Sequence, residues 1–95
     1  METYNFKLEL NRTTIKVLRY IVGVTGKEFA EACHVSHSLL TSIERGKRNI
    51  SKLTNYRITK GFMAYGFSIE EIVAFNMLID LKTNGGGMND TTKET

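Results

Sequence analysis

Cysteine is almost absent from this chain, since Cys33 is the only one. An intramolecular disulfide is therefore excluded, and the N-terminus shows no basic region followed by an apolar signal core. No apolar run approaches the roughly 20 residues that a membrane-spanning helix requires. We therefore expect a soluble, cytoplasmic protein with no membrane partner.

Patterns typical of catalytic and cofactor sites are also absent. The sequence contains no Ser/His/Asp order, no phosphate-binding loop and no convergent pair of carboxylates. Cys33, His34 and His37 lie close together, but Cys-His-x-x-His lacks the second ligand pair of a structural zinc site. We expect no enzymatic activity, no cofactor and no metal, and we predict that Cys33 is a buried thiol.

Positive charge is concentrated in the middle of the chain. Residues 11–60 contain ten Lys and Arg against three Glu, a net charge of +7, whereas the whole chain carries +3. The two ends of the chain, residues 1–10 and 61–95, therefore carry a net charge of −4 together. A basic centre of this kind is typical of a nucleic-acid binder, and the alternative is a solvated basic surface without a ligand. A length of 95 residues indicates one small domain.

Residues 1–10 form a predicted N-terminal arm. Apolar Tyr4, Phe6, Leu8 and Leu10 alternate with polar residues, which is the period of a half-buried strand. No other segment alternates in this way, so a second copy of the chain would have to pair with the strand. The alternative is an extended arm whose apolar side chains pack on the helices.

Five helices are predicted within residues 11–82, followed by a flexible tail at residues 83–95 that contains three consecutive glycines. The predicted spans are 12–22, 26 to about 33, from 37 onward, 51 to about 65, and 68 to about 81. Gly23 ends the first helix and Gly66 the fourth, and Ser36 and Ser51 cap the starts of the third and fourth. Thr25 with Glu28 and Ser68 with Glu71 form capping boxes at the starts of the second and fifth.

Burial is expected on one face of each helix, and the last two helices carry additional signals. In the fourth helix, the apolar residues available for burial are Leu53, Tyr56, Ile58, Phe62, Met63 and Tyr65. Gly61 within this helix predicts a close contact with another helix, since glycine is otherwise unfavourable there. The fifth helix is more apolar than one buried stripe requires, which indicates a second buried face.

Several residue groups between residues 25 and 46 together form a pattern with a defined spacing. They are Phe29-Ala30, Val35-Ser36, Leu40, Ile43 and Glu44-Arg45-Gly46. This pattern resembles the Cro and phage-repressor type helix-turn-helix family. Asn49-Ile50-Ser51 and the segment 65–72 look like later parts of the same family, so the resemblance covers approximately residues 12–73. It implies an all-α, five-helix DNA-binding domain that acts as a dimeric repressor on double-stranded DNA.

The resemblance also implies where contacts would lie. Base edges would be read by the start and outer face of the third helix: His37, Ser38, Leu39, Thr41 and Ser42. Phosphates would be bound by Thr25, Lys27, Ser36, Arg45, Lys47, Arg48, Asn49 and Lys52. The predicted dimer contacts are Tyr4, Phe6, Leu8, Phe75, Leu78 and Ile79.

Three residues depart from the family pattern. Gly26 stands where the family usually has Gln, His34 stands where it usually has Gly, and Leu39 stands where a small or polar residue is usual. We expect Leu39 to be exposed. A repressor with its own set of contacts accommodates these departures. The alternative is an interaction module, such as an antirepressor or antitoxin, that uses the same helices to bind a protein partner.

Overall fold

Five helices follow one another in residues 8–83, the part of the chain that the computed structural model describes. They are α1 (Arg12–Val22), α2 (Gly26–Cys33), α3 (His37–Glu44), α4 (Lys52–Ala64) and α5 (Ile69–Thr83). No strand occurs among the described residues. The all-α, five-helix prediction is therefore confirmed. Thr83, the first residue of the predicted tail, is the last residue of α5.

Local capping explains where the helices begin. The side chains of Asn11, Thr25, Ser36, Ser51 and Ser68 each accept a hydrogen bond from a backbone amide in the first turn that follows. Such bonds satisfy amides that have no partner within the helix. Both predicted capping boxes are present. Gly23, with φ 84°, ends α1 in the left-handed conformation that glycine adopts readily.

Helices α2 and α4 approach each other closely in the core. The rings of Phe29 and Phe62 lie with their centroids 4.4 Å apart. A Cβ added to Gly61 would overlap the Sγ of Cys33, so only glycine allows this approach. The predicted close contact at Gly61 is therefore confirmed. Cys33 is only 1% exposed, and its burial raises the pKa of the thiol to about 12, so the thiol is uncharged at neutral pH.

The buried face of α4 differs from the one predicted. It consists of Thr54, Ile58, Thr59, Gly61 and Phe62, which lie on one side of the helix. Four residues that were predicted to be available for burial are exposed instead: Leu53, Tyr56, Met63 and Tyr65. The prediction ranked residues by hydrophobicity, whereas the crossing with α2 places the face containing Gly61 inward.

Two asparagines hold the segment that precedes α1. Asn55 of α4 donates to the carbonyl of Leu8 at 2.7 Å and accepts from the amide of Leu10 at 2.8 Å. Asn76 of α5 donates to the carbonyl of Glu9 at 3.0 Å and accepts from the amide of Asn11 at 2.8 Å. These bonds replace strand pairing for four backbone groups.

This arrangement agrees, for residues 8–10, with the alternative of an arm that packs on the helices. Leu10 is buried, and Leu8 packs partly buried against the core. Tyr4 and Phe6 lie outside the described residues, so the dimer strand remains a prediction there.

Helix α5 buries only part of its apolar surface. Ile72 and Asn76 are its buried residues, and Phe75 packs edge-on against Phe67 with their centroids 6.3 Å apart. Among the predicted dimer contacts, Ile79 is half-buried and Leu78 is 53% exposed. Met77 and Leu81, which were not predicted as contacts, are 60% and 61% exposed. The second apolar face of α5 is thus not covered by the described residues.

Within residues 8–83, no single helix is long and apolar enough to cross a membrane. Only α4 and α5 together meet that length and composition, and the pair is bent by 118°.

Candidate functional site

A three-residue turn connects α2 to α3. His34 ends α2 with φ 61° and ψ 40°, the left-handed conformation, as expected for a position where glycine is usual. It is the only non-glycine residue with a positive φ among those described. The amide of Val35 donates to the carbonyl of Ala30 at 3.0 Å, and Ser36 then caps α3. The turn is therefore built from local hydrogen bonds that fix the angle between the two helices.

The outer face of α3 presents short polar side chains. Leu40 and Ile43 are buried in the core, whereas His37 and Ser38 are exposed and Thr41 and Ser42 are half-exposed. Four of the predicted base-reading residues thus share one accessible side of the helix.

The prediction that Leu39 is exposed is wrong. This residue is half-buried and packs against the hydrophobic core. Leu39 precedes Ile43 by four residues, so it shares the edge of the buried stripe instead of lying opposite to it. Its availability for a base contact is correspondingly reduced.

An ion pair anchors the C-terminal end of α3 to α1. Nε and Nη2 of Arg19 donate to the two carboxylate oxygens of Glu44 at 2.9 and 2.8 Å. The hydrogen bond to Glu44 raises the pKa of Arg19 above its ordinary value. Sequence reasoning missed this pair, because the two residues lie 25 positions apart.

Basic residues continue beyond the end of α3. Arg45 caps the helix, and Lys47, Arg48 and Asn49 are exposed in the loop before α4. Lys52 at the start of α4 and Lys27 in the first turn of α2 are also exposed. Six of the predicted phosphate-binding residues are therefore accessible.

Arg12 of α1 joins this basic segment, although the sequence did not indicate it. A Cβ added to Gly46 would lie 3.1 Å from both Cζ and Nε of Arg12. The guanidinium therefore packs against Gly46, whose φ of 77° also favours glycine. Helix α1 thus adds a cation beside the loop that follows α3.

The remaining two predicted phosphate contacts serve as helix caps. The hydroxyl of Thr25 accepts from the amide of Glu28 at 3.1 Å and lies 3.2 Å from its carboxylate. The hydroxyl of Ser36 accepts from the amide of Leu39 at 3.0 Å. Phosphate binding by these side chains remains a prediction, and for Thr25 it would require the hydroxyl to leave Glu28.

A cleft of about 260 Å³ opens between α1 and α3 beside the start of α2. It is lined by Lys16, Arg19, Gly26, His37, Leu40, Thr41, Glu44 and Arg45. A Cβ added to Gly26 would lie 3.1 Å from Nε2 of His37, so the imidazole packs over the first residue of α2. His37, which was predicted to read bases, therefore also faces this cleft. Lys16 was not predicted as a site residue.

No group of three or more His, Cys, Asp or Glu side chains is arranged to hold a metal ion within residues 8–83. Cys33 is buried, whereas His34 and His37 are exposed.

Comparison with known protein families gives one match. A family model described as helix-turn-helix matches residues 15–62, about half of the chain, from the first turn of α1 to Phe62 of α4. No curated protein and no solved structure gives a match. The matched region contains α2, α3 and the turn between them.

Proposed function

Because the chain belongs to the Cro/C1-type helix-turn-helix family, whose members are DNA-binding regulators and not enzymes, we propose that it is a repressor of the phage or mobile-element kind. It binds a specific sequence in double-stranded DNA as a homodimer. The observation that carries this proposal is the outer face of α3, where short polar side chains lie between exposed Lys27 on one side and a group of exposed cations after the helix on the other.

Helix α3 enters the major groove in the proposed complex. His37, Ser38, Thr41 and Ser42 lie on the side of α3 that would face the base edges. These side chains are short, and none is an Arg, Asn or Gln that could form a strong bidentate base contact. Sequence choice therefore depends on weaker hydrogen bonds and on DNA shape, with at most a partial contact from Leu39 to a thymine methyl group.

The exposed cations at both ends of α3 bind the DNA backbone. Lys27 lies before the turn, and the others lie after α3: Arg45, Lys47, Arg48 and Lys52. The neutral amide of Asn49 can add a hydrogen bond beside them. Such contacts set affinity and register but carry no sequence information. In the proposed complex, Thr25 and Ser36 contribute to backbone binding through amides at the starts of the helices that they cap.

Dimerisation uses the uncovered face of α5. Met77, Leu78 and Leu81 are all more than half exposed and lie on one side of the helix. A symmetric dimer would bury the same surface from both copies, with Ile79 and the exposed part of Phe75 at its edge. Two copies of α3 could then read two half-sites.

The alternative, a protein-interaction module, is less well supported. It was suggested by Leu39 and Gly26, which depart from the family pattern, and by the acidic ends of the chain. Leu39 packs partly into its own core, and Gly26 makes room for the ring of His37. Neither residue therefore requires a protein partner.

Binding selection with the full chain tests this proposal. Purified protein selects from a random double-stranded DNA library, and fluorescence anisotropy then measures affinity at several salt concentrations. We expect enrichment of a two-fold symmetric sequence. With about four phosphate contacts made at once per monomer, log K should fall with log salt at a slope of about −3 to −4 per monomer. Failure to retard any DNA at low salt, together with co-purification of another protein, would support the alternative. A monomer in sedimentation at micromolar concentration would contradict the dimer.

A further inference from the structure

The cleft between α1 and α3 has a composition that base reading does not explain. We propose that it binds a phosphate group of the DNA backbone, and that His37 contributes to this phosphate site instead of reading a base. This inference rests on the proposed function and adds Lys16 of α1 to the interface. The ligand chemistry is that of a phosphate, and its source is the DNA backbone.

The charges around the cleft favour an anion. Glu44 is its only carboxylate, and Arg19 already binds both of its oxygens. Lys16 and Arg45 form no ion pair with any carboxylate of residues 8–83. Two positive charges therefore remain uncompensated at the cleft, and the paired Glu44 does not repel a ligand. Thr41 adds a hydroxyl that can donate a hydrogen bond.

The packing of His37 supports its assignment to the phosphate site. The ring lies against Gly26, and any side chain at position 26 would start 3.1 Å from Nε2. Glycine at this position therefore allows the imidazole to turn toward α2 and the cleft. A ring held there is directed along the flank of α3, where a DNA strand would run, and away from the outermost side of the helix. Gly26 and His37 thus act together as one element of the site.

Removal of Lys16 is the main test, with Lys60 as the matched control. Both lysines are exposed, but Lys60 belongs to α4 and does not line the cleft. Lys16→Ala should weaken binding to the selected sequence and to random DNA by about tenfold each, and should reduce the salt slope by about 1. Lys60→Ala should leave both affinities nearly unchanged. Equal effects of the two substitutions would overturn the inference.

His37→Ala distinguishes the two roles of the imidazole. A phosphate contact predicts the same fold-loss on selected and random DNA, whereas a base contact predicts loss on the selected sequence alone. Loss restricted to the selected sequence would return His37 to base reading and overturn its assignment here. Thermal unfolding of each variant shows that the fold is retained.

A titration with inorganic phosphate tests the cleft without DNA. In the full chain, NMR shifts of the amides of Gly26 and Thr41 should follow phosphate concentration, and Lys16→Ala should abolish them. Shifts that Lys16→Ala abolishes without any loss of DNA affinity would mean that the cleft takes a free phosphate, which overturns the backbone assignment. Absence of shifts in the wild-type chain would overturn the site. If the wild-type chain binds no DNA, the repressor proposal fails, and the titration still decides whether the cleft binds phosphate.

Discussion

Helices α3 and α5 present surfaces of opposite character. On α3, the accessible residues are His37, Ser38, Thr41 and Ser42, and no large apolar side chain of this helix is exposed. On α5, three large apolar side chains are more than half exposed. The first surface offers hydrogen bonds to a hydrated, charged polymer. The second surface is stabilised only when another apolar surface covers it and removes it from water.

The two surfaces should therefore respond differently to salt. Contacts between cations and phosphates weaken as salt rises, because bound counterions are no longer released with the same gain in entropy. Burial of apolar side chains is not weakened in this way.

Leu78→Gln tests the apolar surface of α5. A leucine at a two-fold interface is buried twice, and about half of Leu78 remains to be covered in each copy, so its loss should cost about 1.5–3 kcal/mol of association free energy. The dimer dissociation constant measured by sedimentation equilibrium should therefore rise by about tenfold to a hundredfold.

The control for this variant is Leu53→Gln. Leu53 of α4 is 55% exposed, close to the 53% of Leu78, and it does not belong to α5. This substitution should leave the dissociation constant unchanged. If Leu78→Gln associates as strongly as the Leu53 variant, α5 is not the dimer surface.

Gly61→Ala tests the crossing of α2 and α4, which connects the polar region of α3 with the apolar region of α5. The added Cβ would overlap Sγ of the buried Cys33. We expect the free energy of unfolding, measured with urea, to fall by about 1–3 kcal/mol. The double variant with Cys33→Ala should be more stable than Gly61→Ala alone, because the overlapping sulfur is removed. A single variant as stable as the wild type would show that the crossing tolerates a larger residue.

The sequence was sufficient to predict features that depend on neighbouring residues. Helix starts at Thr25, Ser36, Ser51 and Ser68 were correct because a cap bonds to an amide only two or three positions away. The role of Gly61 was also predictable, since glycine inside a helix needs a packing reason.

Features that depend on tertiary arrangement were not predictable in this way. The inward face of α4 is set by its crossing with α2, so the exposure of Tyr56 could not be derived from hydrophobicity. The same applies to Asn55 and Asn76, which bond to a segment more than 40 residues away. In the candidate site, the outer face of α3 was predicted from the resemblance to the helix-turn-helix family. The contributions of Arg12 and Lys16 depend on how α1 packs against α3.

Ser42→Ala and Arg48→Ala test the division of roles within the polar region. Ser42→Ala should weaken binding to the selected sequence by roughly fivefold to tenfold and leave random DNA unchanged, because a hydroxyl contact to a base carries sequence information. Arg48→Ala should weaken both by a similar factor and reduce the salt slope by about 1. Anisotropy on both DNAs measures these effects. Equal losses on both DNAs for both variants would contradict the assigned roles.

His34→Gly tests the turn between α2 and α3, and the effect should be the smallest. A side chain in the left-handed conformation costs about 1 kcal/mol relative to glycine, while glycine also gains entropy in the unfolded chain. We therefore expect a net stabilisation of about 0.5 kcal/mol and a rise of about 2–4 °C in melting temperature.

His34→Ala separates the backbone from the side chain, because alanine removes the imidazole but retains a Cβ at φ 61°. This variant should not gain the stability of His34→Gly. Equal stabilisation by both substitutions would mean that the imidazole, and not the left-handed backbone, is unfavourable in the turn. Arg57 of α4 donates to the carbonyl of His34 at 3.3 Å, and this bond does not depend on the side chain of residue 34. If only backbone strain changes, the angle between α2 and α3 should stay the same. The preference among DNA sequences should then also be unaltered.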